Sequence, residues 1–283
     1  MKEINQIAVL GAGMMGAEIA YCCAAAGCEV LLKDMSQALA DSGKKRIIKI
    51  LGKQVEKGKL AESAKDEIAG RITATDKYAG IENADLVIEA VLEKYEIKSV
   101  VFKELSGVIK SDCVVASNTS AISITKLAGN MKYPTNFIGM HFFSPASVMK
   151  LVEVIPGLET TEDTVTEAES FCRRIGKEPI RVKECVGFVV NRMLHAMLRE
   201  AFRLAEEGIA DPGDIDKAAK LGLGHPVGPF QLMDLAGNDL ALSNFETLFN
   251  EYGDRFRPSP LLRQKVFANQ LGRKTKKGWF VYE

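Results

Sequence analysis

The chain has 283 residues, in which 37 Lys plus Arg balance 37 Asp plus Glu. That length buries a large core in one or two domains, and the neutral balance argues against nucleic acid or an anionic membrane as partner. The six cysteines (Cys22, Cys23, Cys28, Cys113, Cys172, Cys185) form no CxxC and no metal-ligand spacing, so they read as reduced core residues in a cytoplasmic setting, with no metal expected.

The opening residues lack the shape of a signal peptide, and no apolar run is long enough to span a bilayer. Ile7–Leu10 reads as a buried strand. Gly11-Ala12-Gly13-Met14-Met15-Gly16 then opens a helix running through Cys22. In such a turn the first glycine makes the bend, the second lets backbone approach a pyrophosphate, and the third lets helix pack on strand. The helix N-terminus supplies N–H groups and dipole for the anion. A second strand, Glu29–Lys33, ends in Asp34, an acid about twenty residues beyond the glycines. That position suits the adenosine ribose hydroxyls and repels a 2′-phosphate, which points to NAD rather than NADP.

A helical stretch follows from Ser36 to Gly70, with a break predicted at Lys57-Gly58-Lys59. Lys45, Lys49, Lys53 and Lys57 repeat every fourth residue, with Lys44, Arg46 and Lys59 alongside, opposite an apolar set of Ile47, Ile48, Leu51 and Val55. Such a stripe is either the solvated face of an amphipathic helix or a seat for a polyanionic ligand. Only Glu56 offsets the cluster, and like charges four apart repel, which favours the ligand. Nucleic acid fits less well, because no aromatics interleave the lysines.

Strands at Arg71–Thr75, Asp85–Glu89, Cys113–Ala116 and Asn136–Met140, with a helix over Ile97–Ile109, continue the rhythm of a parallel doubly wound sheet. Loops after such strands face the ligand crevice. Glu93 and Lys98 follow one strand and are read either as ligand contacts or as a surface pair. Ser117-Asn118-Thr119-Ser120 follows another. Asn118 suits a cofactor amide or ribose and Ser120 a substrate oxygen, the alternative being a helix N-cap.

His141 closes the run Phe137–Met140, and Glu153 sits within Leu151–Ile155. A carboxylate in so apolar a strand is costly unless a partner holds it, and a carboxylate orients an imidazole that must act as a base. Antiparallel pairing of the two strands about the loop near Ser147 would set them face to face. A helix over Glu162–Gly176 and a strand at Glu178–Val182 complete this region. From Val186 the periodicity turns helical to the end, which sets a boundary near residue 184: a dinucleotide-binding domain over 1–184 and an all-α domain over 185–283. His195, one helical turn after Asn191, is a rival base. His225 reads as a turn residue.

The motifs VLGAGMMGAEIA, LVIEAVLEKYEIK, ASNTSAISI, FIGMHFF, PASVMKLVEV, CVGFVVNRML, GHPVGPFQLMDL and SPLLRQKVFANQLGRKTKKGWF occur in this order from end to end. In them the chain closely resembles the NAD-dependent L-3-hydroxyacyl-CoA dehydrogenases, particularly the short bacterial 3-hydroxybutyryl-CoA enzymes. The resemblance implies a Rossmann domain with an inserted helical hairpin, then a helical domain that dimerises. It implies His141 as general base, Glu153 as its orienting partner, and Ser120 and Asn191 on the reacting oxygen. It assigns Asp34, Glu93, Lys98, Asn118 and Lys274 to NAD, Lys53 and Lys57 to coenzyme A, and an acyl-CoA as substrate. Ser144 stands where the family usually has Asn on the nicotinamide side, Ala121 where it has a second serine, and Lys276 where it has Gly. Another hydroxyacid dehydrogenase of this fold, or a non-catalytic NAD-binding protein, is the alternative.

Overall fold

The computed structural model describes residues 3–283. The chain divides into two compact units between Cys185 and Val186, one residue beyond the expected boundary.

The first unit is one eight-stranded sheet in the order β3-β2-β1-β4-β5-β6-β7-β8. Its strands are β1 (Gln6–Leu10), β2 (Glu29–Lys33), β3 (Ile72–Thr75), β4 (Leu86–Glu89), β5 (Val114–Ser117), β6 (Phe137–Phe142), β7 (Leu151–Pro156) and β8 (Glu178–Arg181). The first six run parallel, as the alternating pattern predicts. β7 then pairs antiparallel with β6, and β8 runs parallel to β7. The order reverses between β1 and β4, so the ligand crevice opens beyond their carboxyl ends.

The helices are α1 (Met14–Ala25), α2 (Gln37–Glu56), α3 (Glu62–Gly70), α4 (Tyr95–Ser106), α5 (Ile124–Ala128) and α6 (Glu162–Arg174). Because strand side chains alternate, one sheet face carries Val9, Leu32, Ile88, Met140 and Val154, packed with α1, α2, α3 and α6 residues such as Ile19, Ile47, Ile68 and Phe171. The opposite face carries Val87, Val115 and Phe137, with Phe102 of α4 edge-on to Phe137 at 4.9 Å. His141 and Glu153 fall on this second face.

The helical hairpin α2–α3 breaks where the glycine at 58 takes a left-handed φ of 65°. Two details of its lysine stripe differ from expectation. Ile48 is 40% exposed, so the buried stripe is Ala40, Gly43, Ile47 and Leu51; at 100° per residue Ile48 falls off the line through Ile47 and Leu51. Lys44 is anchored on the Ile72 carbonyl at 2.5 Å, while Lys45, Lys49, Lys53 and, at the C-cap of α2, Lys57 form the exposed row.

The second unit consists of α7 (Val190–Glu206), α8 (Pro212–Gly222), α9 (Pro229–Ala236), α10 (Asn238–Tyr252) and α11 (Pro260–Phe267). Leu198, Phe202, Ile215, Phe230, Phe245 and Leu262 form its core, against which Trp279 packs. Two buried acids organise it. Asp216 accepts the Phe230 and Gln231 N–H groups at 2.7 and 2.9 Å and so caps α9. Asp234 accepts Trp279 N–H, Phe280 N–H and the Tyr282 hydroxyl at 2.9–3.0 Å, which docks the C-terminal tail. Among the described residues, no helix is long and apolar enough to cross a membrane.

Candidate active site

The glycine turn after β1 has the shape a dinucleotide needs. Gly11 sits at φ 97°, and a Cβ there would lie 2.6 Å from the Ala90 carbonyl oxygen beyond β4. At Gly16 a Cβ would meet the Gly11 carbonyl at 1.7 Å, so helix and turn close up only on glycine. Gly13 differs: a Cβ there would meet nothing within 4 Å, which leaves open space at the backbone where a pyrophosphate approaches. Gly13 is also the N-cap of α1, with no side-chain cap and no acid in the first turn. These features fit NAD, whose phosphates take up N–H groups and dipole left uncapped. Met14 is 55% exposed beside this turn, while Ala12 is buried and Met15 half-buried.

Asp34 follows β2. Its carboxylate accepts Ala12 N–H at 2.6 Å and Met35 N–H at 2.7 Å, so the acid is fastened to the glycine turn itself. The neighbouring Lys33 ammonium lies 4.3 Å above the Tyr78 ring.

Beyond β4, Glu93 folds over the loop after β5. Its Oε1 accepts Ser120 N–H at 2.8 Å and Ala121 N–H at 3.2 Å, and also the Thr119 hydroxyl. Its Oε2 pairs with Lys98 at 3.2 Å. Lys98 is no surface residue: it is 1% exposed, and its ammonium lies 2.6 Å from Glu89, which is fully buried. Burial pushes the Glu89 carboxyl pKa up, against the opposing pull of Lys98 and Ser117. Asn118 accepts Phe142 N–H at 2.8 Å, binding the loop to the strand that carries His141. Ser123, three residues past Ser120, is the actual N-cap of α5. Ser120 is therefore not spent as a cap.

His141 and Glu153 are direct partners across the antiparallel ladder of β6 and β7. Nδ1 of His141 lies 2.7 Å from Glu153 Oε2, with the histidine 4% exposed and the glutamate fully buried. An ionised carboxylate only accepts, so Nδ1 carries the hydrogen and Nε2 the lone pair. The Phe143 ring packs 4.5 Å from the imidazole. Glu18 of α1 accepts Ser147 N–H at 3.0 Å, and buried Lys177 donates to Met149 O at 2.9 Å and to Ala146 O, so the loop between the two strands is pinned. Ser144, in that loop, is exposed.

The second unit carries Asn191, half-buried in the first turn of α7. The rival base His195 is buried, stacks edge-on against Phe245 at 4.8 Å, and donates Nδ1–H to the Asn191 carbonyl at 2.7 Å. Burial pulls its pKa down. It is a core histidine. His225 lies in the turn between α8 and α9. Lys274 is paired with Asp239 at 2.5 and 2.6 Å within its own unit.

Glu89, Ser117, Glu18 and Lys177 were not singled out from sequence as site residues. For Glu89 a signal existed: a carboxylate closing the apolar run Leu86-Val-Ile is the same anomaly that marks Glu153.

A glycine turn open to phosphate, an acid at the end of β2 and a buried His–Glu pair define an NAD-dependent oxidoreductase on a Rossmann-type sheet. Residues 6–185 match the family description "3-hydroxyacyl-CoA dehydrogenase, NAD binding domain", and residues 187–282 match its C-terminal domain. The chain belongs to the 3-hydroxyacyl-CoA dehydrogenase family. Over 278 residues it is 43% identical to a 3-hydroxybutyryl-CoA dehydrogenase of Clostridioides difficile, covering 98% of this chain and 99% of that one. A relative of the same name from Bradyrhizobium diazoefficiens is 41% identical over 280 residues, covering 99% and 96%. The crystal structure of the (S)-3-hydroxybutyryl-CoA dehydrogenase of Ralstonia eutropha superposes with a TM-score of 0.96 at 42% identity, covering 99% of this chain and all of that one.

Proposed function

We propose that this protein interconverts short-chain L-3-hydroxyacyl-CoA and 3-ketoacyl-CoA with NAD, with 3-hydroxybutyryl-CoA as the representative substrate. The His141–Glu153 pair carries this reading. In oxidation, His141 Nε2 takes the proton of the 3-hydroxyl while Glu153 stabilises the imidazolium. In reduction the same nitrogen returns the proton. When bound, NAD would supply the acceptor for the hydride that leaves substrate C3 in oxidation, and its reduced form the donor that returns it in reduction. Glu93 holds the backbone of Ser120, whose hydroxyl is assigned to the reacting oxygen, and Asn118 holds the strand beside His141. Asn191 on the reacting oxygen, and Lys274 and Ser144 at the cofactor, are assignments that rest on their motifs.

The exposed lysines of α2, with Lys53 and Lys57 assigned to coenzyme A, favour a CoA ester over a free hydroxyacid. Exposed apolar side chains of the second unit, such as Met193, Leu221, Leu223 and Val281, support a homodimer or higher homo-oligomer. Free cysteines, five of them buried, support a cytoplasmic setting. The test is NADH oxidation with acetoacetyl-CoA set against free acetoacetate. Turnover confined to the CoA ester is expected; equal or greater activity on the free acid would sink the substrate class.

A further inference from the structure

The attraction between buried Glu89 and Lys98 does not by itself account for their presence. A fully buried pair of this kind gains little over apolar side chains of similar volume, because removing two charges from water offsets most of their attraction. Its placement is informative instead. Glu89 ends β4, its register partner Ser117 ends β5, and both lie on the sheet face that carries His141 and Glu153. Glu89 Oε1 accepts from Lys98 Nζ at 2.6 Å and from Val91 N–H at 2.7 Å, while Oε2 accepts the Ser117 hydroxyl at 2.6 Å.

Two routes lead from this carboxylate towards the reacting groups. Lys98 passes to Glu93, which grips the Ser120 and Ala121 N–H groups. Ser117 adjoins Asn118, whose own N–H donates to the Glu89 carbonyl at 2.8 Å and whose Oδ1 takes the N–H of Phe142, next to His141. We propose that Glu89 is a positioning residue for the reaction: with Lys98 and Ser117 it sets the loop bearing Asn118 and Ser120 against the strand bearing His141. The proposal rests on the roles given to Ser120 and His141 above. A charged anchor serves this purpose better than an apolar one, because hydrogen bonds to ions are directional and short where apolar contacts let a loop slide.

The experiment replaces the pair by apolar side chains, Glu89→Leu with Lys98→Met, and measures melting temperature, NADH affinity, and kcat and KM with acetoacetyl-CoA. The expected result is a folded protein with a lowered melting temperature, because the Val91 N–H and the Ser117 hydroxyl lose their acceptor, whose substrate KM stays within about threefold and whose kcat at saturating NADH falls 10- to 100-fold. A folded double variant with kcat within threefold of the parent overturns the proposal. So does a loss confined to NADH affinity, which would make Lys98 a direct cofactor contact. If the double variant does not fold, Ser117→Ala reads the same route: kcat should fall several-fold at unchanged KM, and an unchanged kcat overturns the idea. A parent protein with no turnover would instead sink the proposed function itself.

Discussion

Asp34 Oδ2 lies 2.6 Å from the Ala12 amide nitrogen, so the acid that closes β2 is locked onto the glycine turn that closes β1. Its charge is held at a fixed point beside the dinucleotide crevice. Lys33, the one cation that adjoins Asp34 in sequence, is held over Tyr78. NADH should therefore be preferred to NADPH by about 100-fold or more in kcat/KM, since a second phosphate would meet an anion that does not move away. Equal values for the two coenzymes would refute this role for Asp34.

His141→Gln should lower kcat by about 10²- to 10⁴-fold with both ligands still bound. Glu153→Gln should lower it as well, because the buried imidazolium loses its counter-charge. The double variant should be little worse than His141→Gln alone, as for groups that act as a unit. Turnover that survives His141→Gln but not His195→Gln would move the base elsewhere.

Lys53→Glu should raise KM for acetoacetyl-CoA and leave kcat and NADH affinity nearly unchanged, with Lys57→Glu acting in the same direction. Screening of exposed charges should shrink the effect as salt rises. A fall in kcat at constant KM would assign these lysines a different role.

Lys276 occupies a left-handed turn at φ 58° and ψ 5°, a conformation that suits glycine, the residue the family resemblance leads one to expect there. Lys276→Gly relieves Cβ strain of roughly 1 kcal/mol and returns part of it as unfolded-chain entropy. A net gain of about 0.5 kcal/mol in denaturant unfolding is expected. A less stable variant would mean the lysine side chain is doing more than the backbone loses.

Burial lowers the His195 pKa against the opposing pull of the Asn191 carbonyl. A histidine depressed in the folded state favours folding above its unfolded value near 6.5, and that stability drains away as pH falls from there towards the folded value. The parent should lose melting temperature between pH 7 and pH 5 more steeply than His195→Gln, whose amide can keep the bond to the carbonyl. Parallel pH curves would show that His195 does not contribute to acid destabilisation.

Much of this molecule is legible in its residues because the signals are local. A glycine turn needs only its neighbouring strand and helix, so the dinucleotide fold and the reading of Asp34 follow from consecutive residues. His141 and Glu153 were legible as a pair because each disturbs an apolar run and because one loop of ordinary length separates them. The sequence alone left open whether Lys98 faced solvent, whether Ser120 was spent as a helix N-cap, and whether His195 was a base. Those choices depend on contacts between residues far apart in the chain. Only tertiary packing brought Glu89 within 2.6 Å of Lys98, set Glu93 over the Ser120 backbone, and buried His195 against Phe245. A residue's type announces what it can bond; which partner it meets, and whether water is excluded when it does, is decided by the layers that close over it.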